Sequence, residues 1–270
     1  MILCDCHNHS WFSFDGRGSI DEMCAGAWAA GVSIFALTEH YEFEDMDDAT
    51  PYYLARHERR LKEMAEARHR WADRLELLCG IEMGQAHTHP EEARALANCG
   101  AFDVVIGSLH GIRPKRDIYR DFTYATLDEC DMVYQQYFDE AMELIETGDI
   151  DVFGHFDYPL RMMRTCVPEA SMLRWKDRML PFLKALADSG IALEINTSGA
   201  RRWQGRPGGE QWILEAYRSY GGKRIAVGSD AHRPADVGTG IEMAYRRLLS
   251  GGFDSVTVFR QRRPEQISIR

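Results

Sequence analysis

Ile2-Leu3-Cys4-Asp5-Cys6-His7-Asn8-His9-Ser10, with Asp15-Gly16 close behind, is the stretch on which the fold turns. A short apolar run leads straight into two imidazoles at i and i+2, positions that a strand presents on one face. Two such rings just past a strand end can grip one cation. The arrangement recurs at Thr38-Glu39-His40, Gly80-Ile81-Glu82, Ser108-Leu109-His110, Gly154-His155 and Ser229-Asp230-Ala231-His232. Six strand ends that each carry a His, Glu or Asp predict a multi-metal hydrolytic site.

Strand-like runs alternate with helical patterns along the chain. The runs are Ile2–Cys4, Ser33–Leu37, Leu75–Cys79, Val104–Ile106, Val152–Phe153, Ala192–Ile195, Arg224–Val227 and Ser255–Val258. Ser19 and Glu22 have capping-box spacing, and Gly31 supplies a left-handed helix end. Thr50-Pro51 opens a long charged helix running to about Trp71, with its charged faces in water. Thr126 and Glu129 form a second capping box, for a helix ending near Gly148. Later helices fall near Ser171–Ser189, which Pro181 should kink or split, near Gln211–Ser219 and near Ile241–Leu249. Repeated strand–helix units argue for a parallel sheet with right-handed crossovers. Ligands at the C-terminal ends of many strands favour a closed barrel over an open sheet, whose site would sit at one switch point. No linker, low-complexity segment or internal repeat interrupts residues 1–270, so one domain is expected.

The 270 residues are 45% hydrophobic and 27% charged, with a net charge of −10. That balance disfavours nonspecific nucleic-acid binding. No long uncharged apolar run could span a membrane, and no secretion signal is legible at the N-terminus. The seven Cys contain no CxxC pair and read as reduced thiols of a cytoplasmic protein. Cys4 and Cys6 read as strand residues, because imidazoles and carboxylates already crowd the proposed site.

His, Asp and Glu ligands favour zinc, iron or manganese over magnesium alone. Cations a few ångströms apart can activate water and hold a phosphoryl oxygen, and phosphoryl transfer needs charge neutralisation and positioning more than covalent help.

His7-x-His9-Ser10-x-x-Ser13-x-Asp15-Gly16 resembles the first motif of the PHP (polymerase and histidinol phosphatase) superfamily. Thr38-Glu39-His40 resembles the second motif, Ser108-Leu109-His110 the third, and Gly154-His155 and Ser229-Asp230-Ala231-His232 the later ones. The resemblance implies a distorted (β/α)7 TIM-like barrel of PHP type holding three divalent metal ions. It implies one site made by His7, His9, Glu82 and Asp230. Glu82 would bridge to a second completed by His110 and His155, and Asp15, His40 and His232 would make the third. Leu193-Glu194-Ile195-Asn196-Thr197-Ser198-Gly199, Asp236-Val237-Gly238 and Phe259-Arg260-x-Arg262-x-Pro264 resemble the histidinol-phosphatase branch. The implied activity is hydrolysis of a small phosphorylated substrate, L-histidinol phosphate, with water as nucleophile. Asp230 or His232 would protonate the leaving alkoxide.

A monoester dianion also wants a guanidinium. Arg161 is the first choice, with Arg113, Arg116, Arg201 and Arg202 as alternatives. The basic run Arg113-Pro114-Lys115-Arg116 departs from the phosphatase branch and motivates a rival reading, a phosphoesterase acting on nucleotides or short oligonucleotides. A non-catalytic metal-binding regulator is the second rival, opposed by the complete ligand set. His57 and His69 read as solvent-facing on the charged helix. His87-Thr88-His89 reads as a capping loop rather than a ligand pair, and Glu39 as a carboxylate that orients its neighbour His40.

Overall fold

The computed structural model describes residues 1–44, 49–147, 149–166, 171–201 and 208–270. Arg202 and the helix end expected near Gly148 lie outside the described residues, as does the side chain of Cys166.

In chain order the elements are β1 (Leu3–Asp5), α1 (Ile20–Ala29), β2 (Val32–Glu42), α2 (Ala49–Trp71), β3 (Glu76–Gly84), α3 (Pro90–Ala97) and β4 (Val104–Ser108). A small hairpin of β5 (Gly111–Ile112) and β6 (Arg116–Asp117) precedes α4 (Leu127–Thr147), β7 (Val152–Phe153), α5 (Tyr158–Cys166) and α6 (Lys176–Ser189). The chain then runs through β8 (Ala192–Asn196), α7 (Gln211–Ser219), β9 (Ile225–Gly228), α8 (Ile241–Ser250), β10 (Ser255–Arg260) and β11 (Arg263–Ser268).

Seven parallel strands lie in the order β1-β2-β3-β4-β7-β8-β9. The sheet curls until its last strand meets its first. The Cys6 N–H donates to Val227 O at 2.9 Å, the Asp230 N–H to His7 O at 2.8 Å and the His9 N–H to Ala231 O at 2.9 Å. Gly228 permits this seam, since a Cβ there would stand 2.3 Å from His7 Cβ. The sheet is thus a seven-stranded barrel with helices outside it, as the resemblance implied. Along its strands Phe35, Leu37, Ile81, Val105, Ile106, Phe153, Leu193, Ile195 and Val227 are buried and belong to the hydrophobic core.

The eighth predicted strand is not a barrel strand. Ser255–Arg260 pairs antiparallel with Arg263–Ser268, and this hairpin is tied to the chain around the strand starts. Arg260 grips Glu76 through Nε at 2.6 Å and Nη2 at 2.7 Å, and Arg262 Nε meets Asp151 Oδ2 at 2.8 Å. The strands β2 and β3 run further than their apolar cores suggested, because parallel pairing continues through the ligands and sets His40 opposite Glu82.

The Ser19–Glu22 capping box is present, and Gly31 follows the helix at φ +74°. At α4 the Glu129 N–H donates to Thr126 Oγ1, but the Glu129 carboxylate accepts from Thr123 and Ala125, so only half of the expected box forms. The break before α6 falls at Trp175, where a 3-10 turn ends, while Pro181 rides inside the helix. α2 is less solvated than its charge suggests. Tyr53, Arg60, Met64, Ala67 and Trp71 are buried along one stripe, and half-buried His57 packs near the rings of Tyr53 and Phe102. Arg60 donates to the carbonyls of Leu37 and Gly80, which is how a guanidinium is tolerated under that helix. Among the described residues, no helix is long and apolar enough to cross a membrane.

Candidate metal centre

The strand ends deliver their polar side chains to one mouth of the barrel, around the carboxylate of Glu82. Glu82 is fully buried. Its Oε2 lies 3.2 Å from His7 Nε2, 3.4 Å from His9 Nε2 and 2.9 Å from His40 Nδ1. Its Oε1 lies 2.8 Å from His155 Nε2 and 3.3 Å from His110 Nε2, and accepts from Ser108 Oγ at 2.6 Å. Asp230 Oδ1 stands 3.7 Å from His9 Nε2. Asp15 occupies the rim, with Oδ2 3.0 Å from His232 Nε2 and Oδ1 3.7 Å from His40 Nε2. All nine residues expected from the sequence therefore gather at this mouth.

The cluster is oriented from behind. His7 Nδ1 faces Glu194 Oε1 at 2.7 Å, so that nitrogen carries a proton, and Nε2 is the atom turned to the cluster, able to offer its lone pair once a cation displaces the proton there. His9 Nδ1 faces Ser13 Oγ at 3.0 Å. That hydroxyl donates to Glu39 Oε2 at 2.6 Å, so the His9 ring is fixed in the same sense. Glu39 thus acts through Ser13 on His9, and on Ser10 through its N–H and hydroxyl, rather than touching His40 directly. Asp230 adopts a left-handed backbone at φ +54°, a conformation that Asp tolerates better than most residues. This turns its side chain into the mouth while its N–H closes the barrel.

Two acidic residues were missed by sequence reading. Glu42 follows His40 by two residues, on the same face of β2, and its Oε1 lies 2.8 Å from His110 Nδ1 and 3.6 Å from His40 Nδ1. The i+2 spacing was the signal that could have found it. Gly84 makes room for it, since a Cβ there would fall 1.8 Å from Glu42 Oε2. Glu194 lay in a recognised motif, but its contact with His7 crosses the barrel and has no local signature.

Charge compensation inside the cluster is strong. Burial alone would raise Glu82, yet His7, His40 and His110 hold it well below the usual carboxylate range. Burial opposes protonation of His7, but Glu194 and Glu82 outweigh it and raise the ring well above its ordinary value. His9 is pushed down by burial and by the neighbouring His40 and His232 rings. Asp230 is likewise held low by His7, Arg161 and His232 against its burial.

The arrangement suits divalent cations. Buried His7 Nε2, His9 Nε2 and Glu82 Oε2 have no hydrogen-bond partner, though all three point at one another. Four overlapping donor sets are close enough to share an ion: His7/His9/Asp230, His7/Glu82/His155, His9/His40/His232 and His40/Glu42/His110. Borderline imidazole and hard carboxylate donors together favour zinc, iron or manganese.

A cavity of about 670 Å³ opens onto the cluster, lined by Asp15, His40, Glu42, His110, His155, Asp230 and His232 with five arginines. Arg161, near the start of α5, donates through Nη1 to Asp230 Oδ2 at 3.2 Å and is largely buried. Arg201 is held by the carbonyls of Ser229 and Asp230. Arg17, Arg120 and Arg233 also line the cavity and were not foreseen. Arg113 does not line it. It lies outside, 2.5 Å from Glu143, because its segment packs against the acidic face of α4. Arg116 stacks on Phe122 instead. His87 is buried against Glu140 at 3.0 Å and His89 is the exposed residue before α3, so the second HxH is structural.

This chain is similar to known proteins over nearly its whole length. The protein named "Probable histidinol-phosphatase" of Thermotoga maritima is 27% identical over 95% of this chain and 95% of its own length. The histidinol-phosphatase of Lactococcus lactis subsp. lactis is 25% identical, over 96% of this chain and 95% of that protein. A crystal structure of histidinol phosphate phosphatase from Lactococcus lactis subsp. lactis, complexed with zinc, L-histidinol and phosphate, has a TM-score of 0.80 at 23% identity. The match covers 97% of this chain and 98% of that one. That likeness extends the shared fold over nearly the whole length. The family description "PHP domain" matches residues 5–198, well over half of the sequence, and this chain belongs to the PHP domain family.

Proposed function

We propose that the protein is a metal-dependent phosphomonoesterase of one domain, converting L-histidinol phosphate and water to L-histidinol and phosphate, a step of histidine biosynthesis in the cytoplasm. The observation that carries the reading is the set of unpartnered donor atoms around Glu82, opening onto a cavity that Arg161 enters. The nearly full-length similarity to proteins named histidinol-phosphatase supports the substrate.

His7, His9, Asp15, His40, Glu82, His110, His155, Asp230 and His232 would hold three divalent ions, zinc, iron or manganese. When bound, these supply Lewis acidity toward phosphoryl oxygens and acidify water. Arg161 and Arg201 bind the phosphate oxygens, and both are restrained beforehand by Asp230 and its neighbours. Asp230 Oδ2 already accepts from Arg161 and Asn196, which keeps the carboxylate ionised and leaves Oδ1, on the His9 side, as its ligand atom. His232, at the outer side of the cavity, would serve as a ligand while its Nδ1 faces the Asp230 carbonyl at 3.1 Å, so the proton for the leaving alkoxide would come from solvent in the cavity. Catalysis follows from charge neutralisation and alignment, with no phosphorylated side chain.

Phosphate release from L-histidinol phosphate by zinc-, iron- and manganese-loaded protein, beside 3′,5′-bisphosphonucleosides and p-nitrophenyl phosphate, tests the reading. Turnover of the nucleotide in preference to histidinol phosphate would overturn it. The guanidiniums that motivated a nucleotide substrate are engaged with Glu143 and Phe122.

A further inference from the structure

Five arginines line the cavity of a chain whose net charge is −10. Three are held in place by acceptors: Arg161 by Asp230, Arg201 by the Ser229 and Asp230 carbonyls, and Arg120 by Asp117 at 3.0 Å. Arg17 and Arg233 differ. Both are exposed, and neither makes an ion pair among the described residues. They are also neighbours by construction. The Arg17 N–H donates to His232 O at 2.8 Å, so the backbone carrying Arg17 is bonded to the residue before Arg233. The two leave the chain just beyond Asp15 and His232, whose side chains meet at 3.0 Å on the outer edge of the cluster.

We infer that Arg17 and Arg233 form an outer phosphate-capture subsite, which draws the ester dianion out of solution and feeds it toward Arg161. The inference rests on the phosphomonoesterase reading. An acidic surface repels a dianion, and screening confines any opposing attraction to about 10 Å at ordinary salt. Two unneutralised guanidiniums at a cavity lip are therefore the groups that can reverse the local sign of the field. Arg161 and Arg120, paired with carboxylates, and Arg201, 3.9 Å from Asp236, contribute hydrogen bonds inside the cavity and much less long-range attraction. The subsite acts on encounter and ground-state binding, not on the chemical step.

The test is steady-state kinetics of zinc-loaded wild type, R17Q/R233Q and R17K/R233K on L-histidinol phosphate from low to high KCl. At low salt the Gln pair is expected to raise KM roughly tenfold with kcat held. It should also flatten the fall of kcat/KM with ionic strength, and the Lys pair should restore both. Equal KM and equal salt slope for wild type and the Gln pair would overturn the inference. Calorimetric titration of inorganic phosphate into the same proteins separates it from the reading beneath it. If wild type does not hydrolyse the ester, that reading fails. Weaker phosphate binding by the Gln pair still supports the subsite, and equal binding still refutes it.

Discussion

Glu194 Oε1 stands 2.7 Å from His7 Nδ1, and Glu194 Oε2 accepts the His155 N–H at 2.6 Å. One carboxylate thus fixes the tautomer of one ring and the backbone position of another, from behind both. Glu194→Gln keeps the volume but lets the His7 ring choose its tautomer. Metal affinity should fall by about 10- to 100-fold with the fold retained. Chelator competition, read beside circular dichroism, checks this; unchanged affinity would contradict it.

Metal loading should release protons. In the metal-free chain, burial opposes charge on His40, but Glu82 and Asp15 outweigh it and raise the ring to about 9. His7 and His110 are also raised, by Glu194, Glu82 and Glu42. At neutral pH these rings carry protons that a cation must displace, so apparent affinity should rise with pH. Zinc titration calorimetry in buffers of different ionisation enthalpy reads the release directly. A heat independent of the buffer would contradict it.

Closure of the barrel depends on one missing methyl group. Gly228→Ala would bring a Cβ to 2.3 Å from His7 Cβ and 2.9 Å from Glu194 Oε1. The seam must part, at a cost of about 1–3 kcal/mol by analogy with overpacked cores. Urea denaturation should show that loss, and bound zinc by elemental analysis should fall with it. Full zinc content in the variant would show that the seam can open without disturbing the cluster.

The His87–Glu140 pair should give a pH-dependent contribution to stability. Burial raises the Glu140 carboxyl, but His87, the Arg113 N–H and Gln136 outweigh that and hold it below its ordinary value. A carboxyl depressed in the folded state stabilises the fold above its unfolded pKa of 4.5. That contribution is lost as pH falls through the lower folded value. Glu140→Gln should therefore cost about 1–3 kcal/mol at neutral pH, with the gap to wild type closing in acid. Thermal melts across a pH series measure it, and a constant gap would rule the mechanism out.

Where the chemistry repeats at strand ends, the chain was readable. His7, His40, Glu82, His110, His155 and Asp230 each follow an apolar run, and that repetition announced both the barrel and its mouth. What escaped was decided by contacts distant in sequence. Arg60 looked like one more charge on a solvated helix, until the α2 stripe placed it against the Leu37 and Gly80 carbonyls. Arg113 looked like a phosphate ligand because charge shows in sequence, whereas its acidic partners lie on α4. Ser255–Val258 had strand composition, but composition does not say which sheet a strand joins. α5 went unread, and with it the placement of Arg161.

The bonds from Asp230 N to His7 O and from His9 N to Ala231 O stitch the first ligand pair to a segment distant in sequence and made after it. No nascent polypeptide that has yet to expose Asp230 can assemble the complete cage, however much of the sheet has formed. Ion selection therefore waits until Asp230 and His232 have been made, and the cation pool met from then on would determine which metal the cage carries.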